Sequence, residues 1–236
     1  GDGKGDVIVG AFADDNNSLG ASGSAFIFFG GITGTKRADA DADVILDGQS
    51  ASDQFGKSVA SAGDFNGDGK DDVIVGAWGD DNNSASKSGS AFIFFGGITG
   101  TKRADADADV ILDGQSADDQ FGISVASAGD FNGDGTSDVI VGAHFDSNNG
   151  LNGSGSAFVF FSSGVFPSIT FSDSTSSQKE NTTSVTIPVT LSKTSSSTVT
   201  INYTVTSTAT GGGVDFTLAS GTLSFSAGTT SQNISF

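Results

Sequence analysis

The segment Asp64–Asp72, D-F-N-G-D-G-K-D-D, returns 66 positions later as Asp130–Asp138, D-F-N-G-D-G-T-S-D, and this recurrence shows that the chain is built from repeats. Both copies run directly into Val-Ile-Val-Gly-Ala, and the chain opens inside a third copy at Gly1–Asp6. The period extends beyond the loops, since Phe-Ile-Phe-Phe at 26–29 recurs at 92–95 and, as Phe-Val-Phe-Phe, at 158–161. A fixed period of this kind is typical of folds that stack one supersecondary unit repeatedly.

Each period contains four candidate strands separated by Gly, Asp and Asn turns. In the first period these are Val7–Ala11, Ser24–Phe29, Asp43–Leu46 and Ser58–Ala62. Four short strands per repeat is the pattern of one β-propeller blade. The sequence therefore predicts an all-β protein in which residues 1–161 form the C-terminal part of a β-propeller with four-stranded blades. We expect the remaining blades upstream of Gly1, in a longer protein.

The repeat ends after Phe161, and the composition changes to Ser and Thr. We interpret residues 162–167 as a linker. Apolar and polar residues alternate beyond it, for example at Val185, Ile187, Val189 and Leu191. Such alternation is typical of half-buried antiparallel strands. Residues 168–236 are therefore predicted to form an antiparallel β-sandwich that is truncated at its C-terminal end.

The charge balance restricts the possible partners. Ten basic residues against 28 acidic residues give a net charge of −18, and a field of this sign repels nucleic acid and attracts cations. No apolar run approaches the length that spans a bilayer. We therefore expect neither nucleic-acid binding nor direct membrane insertion by these residues. The chain has no Cys, which excludes a disulfide framework and thiol chemistry.

The repeated loop places an oxygen donor at every odd position. Side-chain oxygens stand at positions 1, 3, 5 and 9, and the main-chain carbonyl of position 7 can turn inward. In the first full copy these residues are Asp64, Asn66, Asp68, Asp72 and, for the carbonyl, Lys70. A set made only of oxygen donors suits a hard divalent cation and disfavours zinc and copper. The loop is not a complete EF-hand, because position 12 is Val75 instead of Glu.

The sequence thus predicts Ca²⁺ bound in a β-hairpin loop, with a structural role. The second copy supplies the equivalent set Asp130, Asn132, Asp134, Thr136 and Asp138. The opening copy retains only Asp2, Lys4 and Asp6, so its site is incomplete. Two alternatives stay open: Mg²⁺, which prefers a stiffer octahedral site, and loops that serve only as hairpin turns.

The run from Phe55-Gly56 through the loop to Val75-Gly76-Ala77 resembles the FG-GAP repeat of integrin α-subunit propellers. The resemblance covers about residues 1–161. It implies Ca²⁺ binding by the residues named above in both full copies, with Lys70 and Thr136 contributing their carbonyl groups. It also implies an extracellular or cell-surface setting.

A second resemblance covers about residues 167–236. Three segments carry it: Ile169–Ser172, Val214–Phe216 and Ser220–Phe225. They are similar to a Calx-beta domain, which is a Ca²⁺-linked β-sandwich. The resemblance implies Glu180 and Asp215 as ligands of a further Ca²⁺ site, whose remaining ligands would follow Phe236 in a longer protein.

Together these features predict a Ca²⁺-binding extracellular adhesion or ligand-binding module, whose ligand is an unidentified extracellular protein or glycan. One alternative is a passive scaffold that spaces other domains of a surface protein. Another is a non-catalytic accessory propeller of a secreted hydrolase. We do not expect enzymatic activity, because the sequence contains no nucleophile elbow, no phosphate loop and no acid–base pair beside its single histidine, His144.

Overall fold

Runs of Val, Ile and Phe bounded by Gly and Asp turns form strands in both parts of the chain. The computed structural model describes residues 4–15, 18–162, 168–171, 186–195, 198–204 and 220–235. The chain divides into two compact units, Gly1–Gly164 and Val165–Phe236. The elements of the first unit are β1 (Val7–Ala11), β2 (Ser24–Phe28), α1 (Ala38–Asp41), β3 (Val44–Asp47), β4 (Ser58–Gly63), β5 (Asp72–Ala77), β6 (Ser90–Phe94), β7 (Gly100–Arg103), α2 (Ala104–Asp107), β8 (Val110–Asp113), β9 (Phe121–Gly129), β10 (Asp138–Ala143) and β11 (Ser156–Phe160).

These strands form three sheets in the described part of the first unit. The strand orders are β1-β2-β3-β7 in the first sheet, β4-β5-β6-β8 in the second and β9-β10-β11 in the third. The predicted strands of the first period are present with bounds that differ by about one residue. The fourth of them, β4, pairs with β5 and so opens the second sheet. The boundary between blades therefore falls inside the sequence period, just before each Ca²⁺-type loop hairpin.

The sheets pack face to face through two apolar clusters. Leu46 of the first sheet and Val75 and Phe92 of the second belong to one cluster, and Ile74, Ile93 and Val141 belong to the other. Each of these two clusters contains a Phe from the start of a sheet: Phe55 just before β4 and Phe121 at the first position of β9. The ring of Phe55 lies 5.6 Å from that of Phe92 and 6.4 Å from that of Phe94, edge to face. Phe121 repeats these contacts in the third sheet.

The second unit contains β12 (Ile169–Phe171), β13 (Thr186–Leu191), β14 (Val199–Tyr203), β15 (Gly221–Phe225) and β16 (Ser231–Ser235). Its pairs are all antiparallel, in the orders β12-β13-β16 and β14-β15. The side chains that alternate along these strands meet in one apolar cluster built on Val189, Leu191, Phe225 and Ile234. The predicted all-β class, with repeated blades followed by an antiparallel sandwich, is confirmed.

Two short α-helices, α1 and α2, interrupt the strands in the described part of the first unit. Both have the sequence Ala-Asp-Ala-Asp, and in each an Asp carboxylate accepts a hydrogen bond from the preceding Arg amide at 2.8 Å. Within the described residues, no helix has the length and apolar character needed to cross a bilayer.

Candidate metal centre

The first complete loop, Asp64–Asp72, connects β4 to β5 and curls around its own carboxylates. The amide of Asp68 donates to Asp64 Oδ1 at 2.9 Å and to Asn66 Oδ1 at 2.8 Å. Gly69 donates to Asp64 Oδ2 at 3.0 Å, and Lys70 donates to Asp68 Oδ1 at 2.9 Å. Gly69 has a φ of +88°, a backbone conformation that favours glycine. The side-chain oxygens at positions 1, 3 and 5 thus face the interior of a single tight turn.

Asp72, at position 9, joins this turn to the core. Its side chain is fully buried. Oδ2 accepts the amides of Phe65 and Asn66 at 2.8 and 3.1 Å, and Oδ1 accepts the amide of Gly96 at 2.8 Å. Burial raises the pKa of Asp72, while these amide hydrogen bonds act in the opposite direction. One carboxylate therefore fixes the start of the loop and the end of β6 together.

The second loop, Asp130–Asp138, repeats the arrangement. Gly135 donates to Asp130 Oδ2 at 2.9 Å, and Asp134 donates to Asn132 Oδ1 at 2.8 Å. The buried Asp138 accepts hydrogen bonds from main-chain amides in the same way as Asp72, from Phe131 at 2.9 Å, Asn132 at 3.2 Å and Ser162 at 3.0 Å.

The two loops differ at position 7. Thr136 replaces Lys70, and its hydroxyl donates to Asp134 and contacts the hydroxyl of Ser162. The hydrogen bond from Thr136 lowers the pKa of Asp134. Lys70 instead extends its ammonium to 3.8 Å from Asp68. Each position 7 side chain therefore supports the carboxylate at position 5, although the two residues do so with different groups.

The other predicted ligands belong to the incomplete first loop and to the Calx-beta-like region. Asp6 accepts a hydrogen bond from the Gly30 amide at 2.7 Å, which repeats the contact between Asp72 and Gly96. Lys4 is described, whereas Asp2, Glu180 and Asp215 lie outside the described residues. The incomplete first loop therefore keeps the anchoring contact of position 9.

The donor set of each complete loop fits a hard cation. It comprises three carboxylates, one amide oxygen and one main-chain carbonyl, which are the ligands that Ca²⁺ prefers. No group of three or more Asp, Glu, His or Cys side chains stands ready to hold a metal within the part of the chain that the structure describes. The carboxylates accept main-chain amide hydrogen bonds, which hold the loop in a tight turn.

A second carboxylate network lies at the other end of β5. Asp53 and Asp80 are buried, with 8% and 6% of their surface exposed. Burial and the charge of Asp80 raise the pKa of Asp53 to about 7, and burial raises that of Asp80 to about 6. Asn82 donates to Asp80 at 2.7 Å and to Asp113 at 3.2 Å. The sequence pattern does not predict this network, although its residue types recur one period later at Asp119 and Asp146.

The fold is a stack of small sheets, and the first hairpin of the second and third sheets carries an acidic, oxygen-only loop. Residues 55–94 and 121–160 match the FG-GAP repeat, and residues 166–236 match the Calx-beta domain. The chain therefore contains two FG-GAP repeats followed by a Calx-beta domain.

Phospholipases and integrin alpha chains are among the curated proteins with similar sequences. Phosphatidylinositol-glycan-specific phospholipase D of Bos taurus is 31% identical over 148 residues, which is 61% of this chain and 17% of that protein. Integrin alpha-3 of Cricetulus griseus is 35% identical over 119 residues, and integrin alpha-7 of Homo sapiens is 33% identical over 129 residues; these cover 50% and 52% of this chain. Because the matches span only 10–17% of the relatives, the similarity concerns one region of much longer proteins.

Proposed function

We propose that this chain is a calcium-stabilised, extracellular adhesion or ligand-binding module without catalytic activity of its own. The observation that carries the proposal is the repetition of one oxygen-only loop at equivalent hairpins of consecutive blades. In each loop the position 9 carboxylate reaches from the hairpin to the end of a neighbouring strand. A cation held there would stabilise the hairpin and, through this carboxylate, its contact with the neighbouring strand.

The ligands in the first loop would be Asp64, Asn66, Asp68, the carbonyl of Lys70 and Asp72. Those in the second would be Asp130, Asn132, Asp134, the carbonyl of Thr136 and Asp138. The cation would supply positive charge among three carboxylates that otherwise repel one another. Gly69 and Gly135 allow the sharp turn that keeps these oxygens on one side.

The free energy expected from Ca²⁺ binding is of the size that suits a structural role outside the cell. Extracellular calcium sites have Kd values of about 10⁻⁴–10⁻³ M, so millimolar Ca²⁺ stabilises the folded state by about 0.4–1.4 kcal/mol per site. Two such sites matter in a fold whose total stability is about 5–15 kcal/mol. With affinities in this range the loops would be nearly empty at the far lower free Ca²⁺ of a cytosol, so the proposed role requires an extracellular or cell-surface location.

The experiment is thermal unfolding of the purified chain in EDTA, followed by titration with Ca²⁺ or Mg²⁺ to several millimolar. We expect Ca²⁺ to raise the melting temperature by about 2–4 °C for each kcal/mol of binding energy, with a smaller effect of Mg²⁺. The Asp68→Ala/Asp134→Ala double variant should lose this increase. The matched control is Asp71→Ser, which removes one charge from the same loop and installs the residue of the second copy, Ser137. A folded wild-type protein that does not respond to Ca²⁺ would mean that the loops are only turns.

A second candidate is an accessory propeller of a hydrolase, which the similarity to phosphatidylinositol-glycan-specific phospholipase D favours. Binding to immobilised extracellular-matrix proteins and glycans, with Ca²⁺ and with EDTA, tests the adhesion function. Binding that requires Ca²⁺ supports it. Binding to neither class of ligand, by a chain that responds to Ca²⁺, supports a passive scaffold or an accessory module.

A further inference from the structure

The two complete loops differ in the group that faces the carboxylate at position 5. In the first loop the Lys70 ammonium lies 3.8 Å from Asp68 Oδ2. In the second loop the hydroxyl of Thr136 donates to Asp134 Oδ1, and Asp134 Oδ2 accepts the side-chain amide of Asn132 at 2.9 Å. The carboxylate at position 5 therefore faces a cationic group in the first loop and neutral donors in the second.

Two glycines after β6 leave room for the lysine at position 7. A Cβ atom added at Gly96 would stand 2.9 Å from Lys70 Cβ, and one at Gly97 would stand 3.0 Å from Lys70 Nζ. Lys4 has the same relation to the corresponding pair of glycines after β2. The lysine stem therefore lies along the glycine turn, and this contact recurs in consecutive sheets.

The lysine and its glycine are replaced together in the third sheet. Thr136 is buried, and its hydroxyl contacts that of Ser162, which stands at the position of Gly96. The Ser162 amide donates to Asp138 as the Gly96 amide donates to Asp72. The residue at position 7 and the residue that follows the third strand thus form one structural unit with two versions.

The formal charge of the two loops is the same. Residues 64–72 contain four Asp and one Lys, and residues 130–138 contain three Asp, so each loop carries −3. The extra carboxylate of the first loop, Asp71, is exposed and stands at position 8, outside the odd positions that supply the oxygen ligands. The loops therefore differ in where their charges stand and not in their sum.

A cation bound by Asp68 would share this carboxylate with the Lys70 ammonium or displace it. The side chains of Lys70 and Asp68 are 49% and 39% exposed, so water screens their attraction and the ammonium can be displaced at modest cost. Thr136 is neutral, and its amide and hydroxyl already hold Asp134 Oδ1. Cation binding therefore meets an opposing charge only in the first of the two complete loops.

We propose that the side chain at position 7 sets the Ca²⁺ affinity of each loop, so that the second loop binds Ca²⁺ at a lower concentration than the first. Lys70 competes with the cation for Asp68, whereas Thr136 holds Asp134 without opposing charge. This inference rests on the calcium-binding function proposed above. The chain would then respond to Ca²⁺ in two steps instead of one.

The test is a Ca²⁺ titration of the isotopically labelled chain, followed by nuclear magnetic resonance. The amides of Gly69 and Gly135 report on the two loops separately, because they donate to Asp64 Oδ2 and Asp130 Oδ2. We expect the Gly135 resonance to reach half-saturation at about fivefold lower free Ca²⁺ than the Gly69 resonance. This ratio corresponds to about 1 kcal/mol, which is the upper range for one exposed ion pair.

Lys70→Met removes the charge and keeps a long side chain over the glycine turn. It should lower the Gly69 midpoint about fivefold and leave the Gly135 midpoint unchanged. Lys87→Met is the matched control, because it removes the same charge near Trp78, beyond the opposite end of β5. That variant should leave the ratio of the two midpoints unchanged. Circular dichroism checks that each variant is folded, and Lys70→Gln replaces Lys70→Met if it is not.

Three outcomes would overturn the proposal: equal midpoints in the wild type, a Gly69 midpoint below that of Gly135, or a Gly69 midpoint that the Lys70 substitution leaves in place. If neither amide responds to several millimolar Ca²⁺, the calcium-binding function itself is wrong, and the inference falls with it. The titration of the wild type alone therefore separates failure of the binding order from failure of the proposed function.

Discussion

The Asp72 carboxylate accepts the Gly96 amide at 2.8 Å across 24 residues of sequence, and Asp138 accepts the Ser162 amide at 3.0 Å in the next blade. The same carboxylate of Asp72 also accepts the amides of Phe65 and Asn66. One buried side chain therefore joins the start of the loop to the segment that follows β6.

Replacing Asp72 by Asn should destabilise the second blade even in EDTA. Asn has one acceptor oxygen, and its amide group would face the donors that Asp72 now satisfies. We expect a loss of about 2 kcal/mol, within the range for hydrogen bonds to charged groups. Urea unfolding measures the loss, and hydrogen exchange should accelerate at the amides of Phe65, Asn66 and Gly96. Asp71→Asn removes the same charge from the exposed neighbouring position and should leave these amides protected; equal effects of the two substitutions would contradict the assignment.

The contact between the second and third sheets depends on a glycine. A Cβ atom at Gly76 would stand 1.9 Å from the carbonyl oxygen of Gly122. That oxygen also accepts a hydrogen bond from the Ser58 hydroxyl at 2.8 Å. Because the clash is with backbone, Gly76→Ala should cost about 3 kcal/mol and lower the melting temperature accordingly.

Gly20→Ala is the control for this substitution. Nothing lies within 4 Å of a Cβ at Gly20, so that variant should melt within about 1–2 °C of the wild type. If Gly76→Ala melted with Gly20→Ala, the close approach of the two sheets would be wrong.

The buried carboxylates predict stability that falls as the pH rises. Burial, followed by the charge of Asp80, raises the pKa of Asp53 from 3.8 to about 7, and burial raises that of Asp80 to about 6. In the unfolded chain both groups lose their protons near pH 4, so above that pH the folded protein binds more protons than the unfolded chain. The stability that these protons provide is fully present below about pH 4 and is lost as the pH rises through 6 and 7.

Asp53→Asn tests this dependence. The Asn oxygen can still accept the Ser50 amide, which donates to Asp53 at 3.0 Å, but the charge is absent. The variant should therefore melt several degrees above the wild type at pH 8 in EDTA and lose this advantage at pH 5. The exposed Asp39→Asn is expected to keep the wild-type slope between pH 4.5 and 8.5. Parallel slopes for the wild type and Asp53→Asn would refute the assignment.

Local signals were sufficient to predict most of the fold and the loops. Alternation along the strands and the fixed spacing of Asp64, Asn66 and Asp68 are properties of adjacent residues, and the structure places these residues in one turn. The partner of Asp72 at Gly96 and the burial of Asp53 beside Asp80 depend on residues distant in sequence. The roles of Glu180 and Asp215, the domain boundaries and the metal itself stay predictions.

The strand β7 shows why local sequence is not enough. Gly100–Arg103 is identical in sequence to Gly34–Arg37, which is exposed and forms no strand. The two segments have nearly the same backbone, with φ of +71° at Gly100 and +72° at Gly34. Within the residues that the structure describes, Gly100–Arg103 lies beside the first sheet, where it pairs in parallel with Val44–Asp47. The neighbouring blade, and not the segment, therefore determines whether a strand forms.

A matched pair of proline substitutions tests this last point. The Gly100 amide donates to the Asp43 carbonyl at 3.3 Å, and residues two apart on a strand direct their amides to the same side, so the Lys102 amide also faces β3. Lys102→Pro removes that donor and should cost about 1 kcal/mol, with faster hydrogen exchange along β3. Lys36→Pro makes the same change in the identical but unpaired segment and should leave the melting temperature unchanged. Equal losses from the two substitutions would mean that the segment contributes through its own conformation and not through pairing between blades.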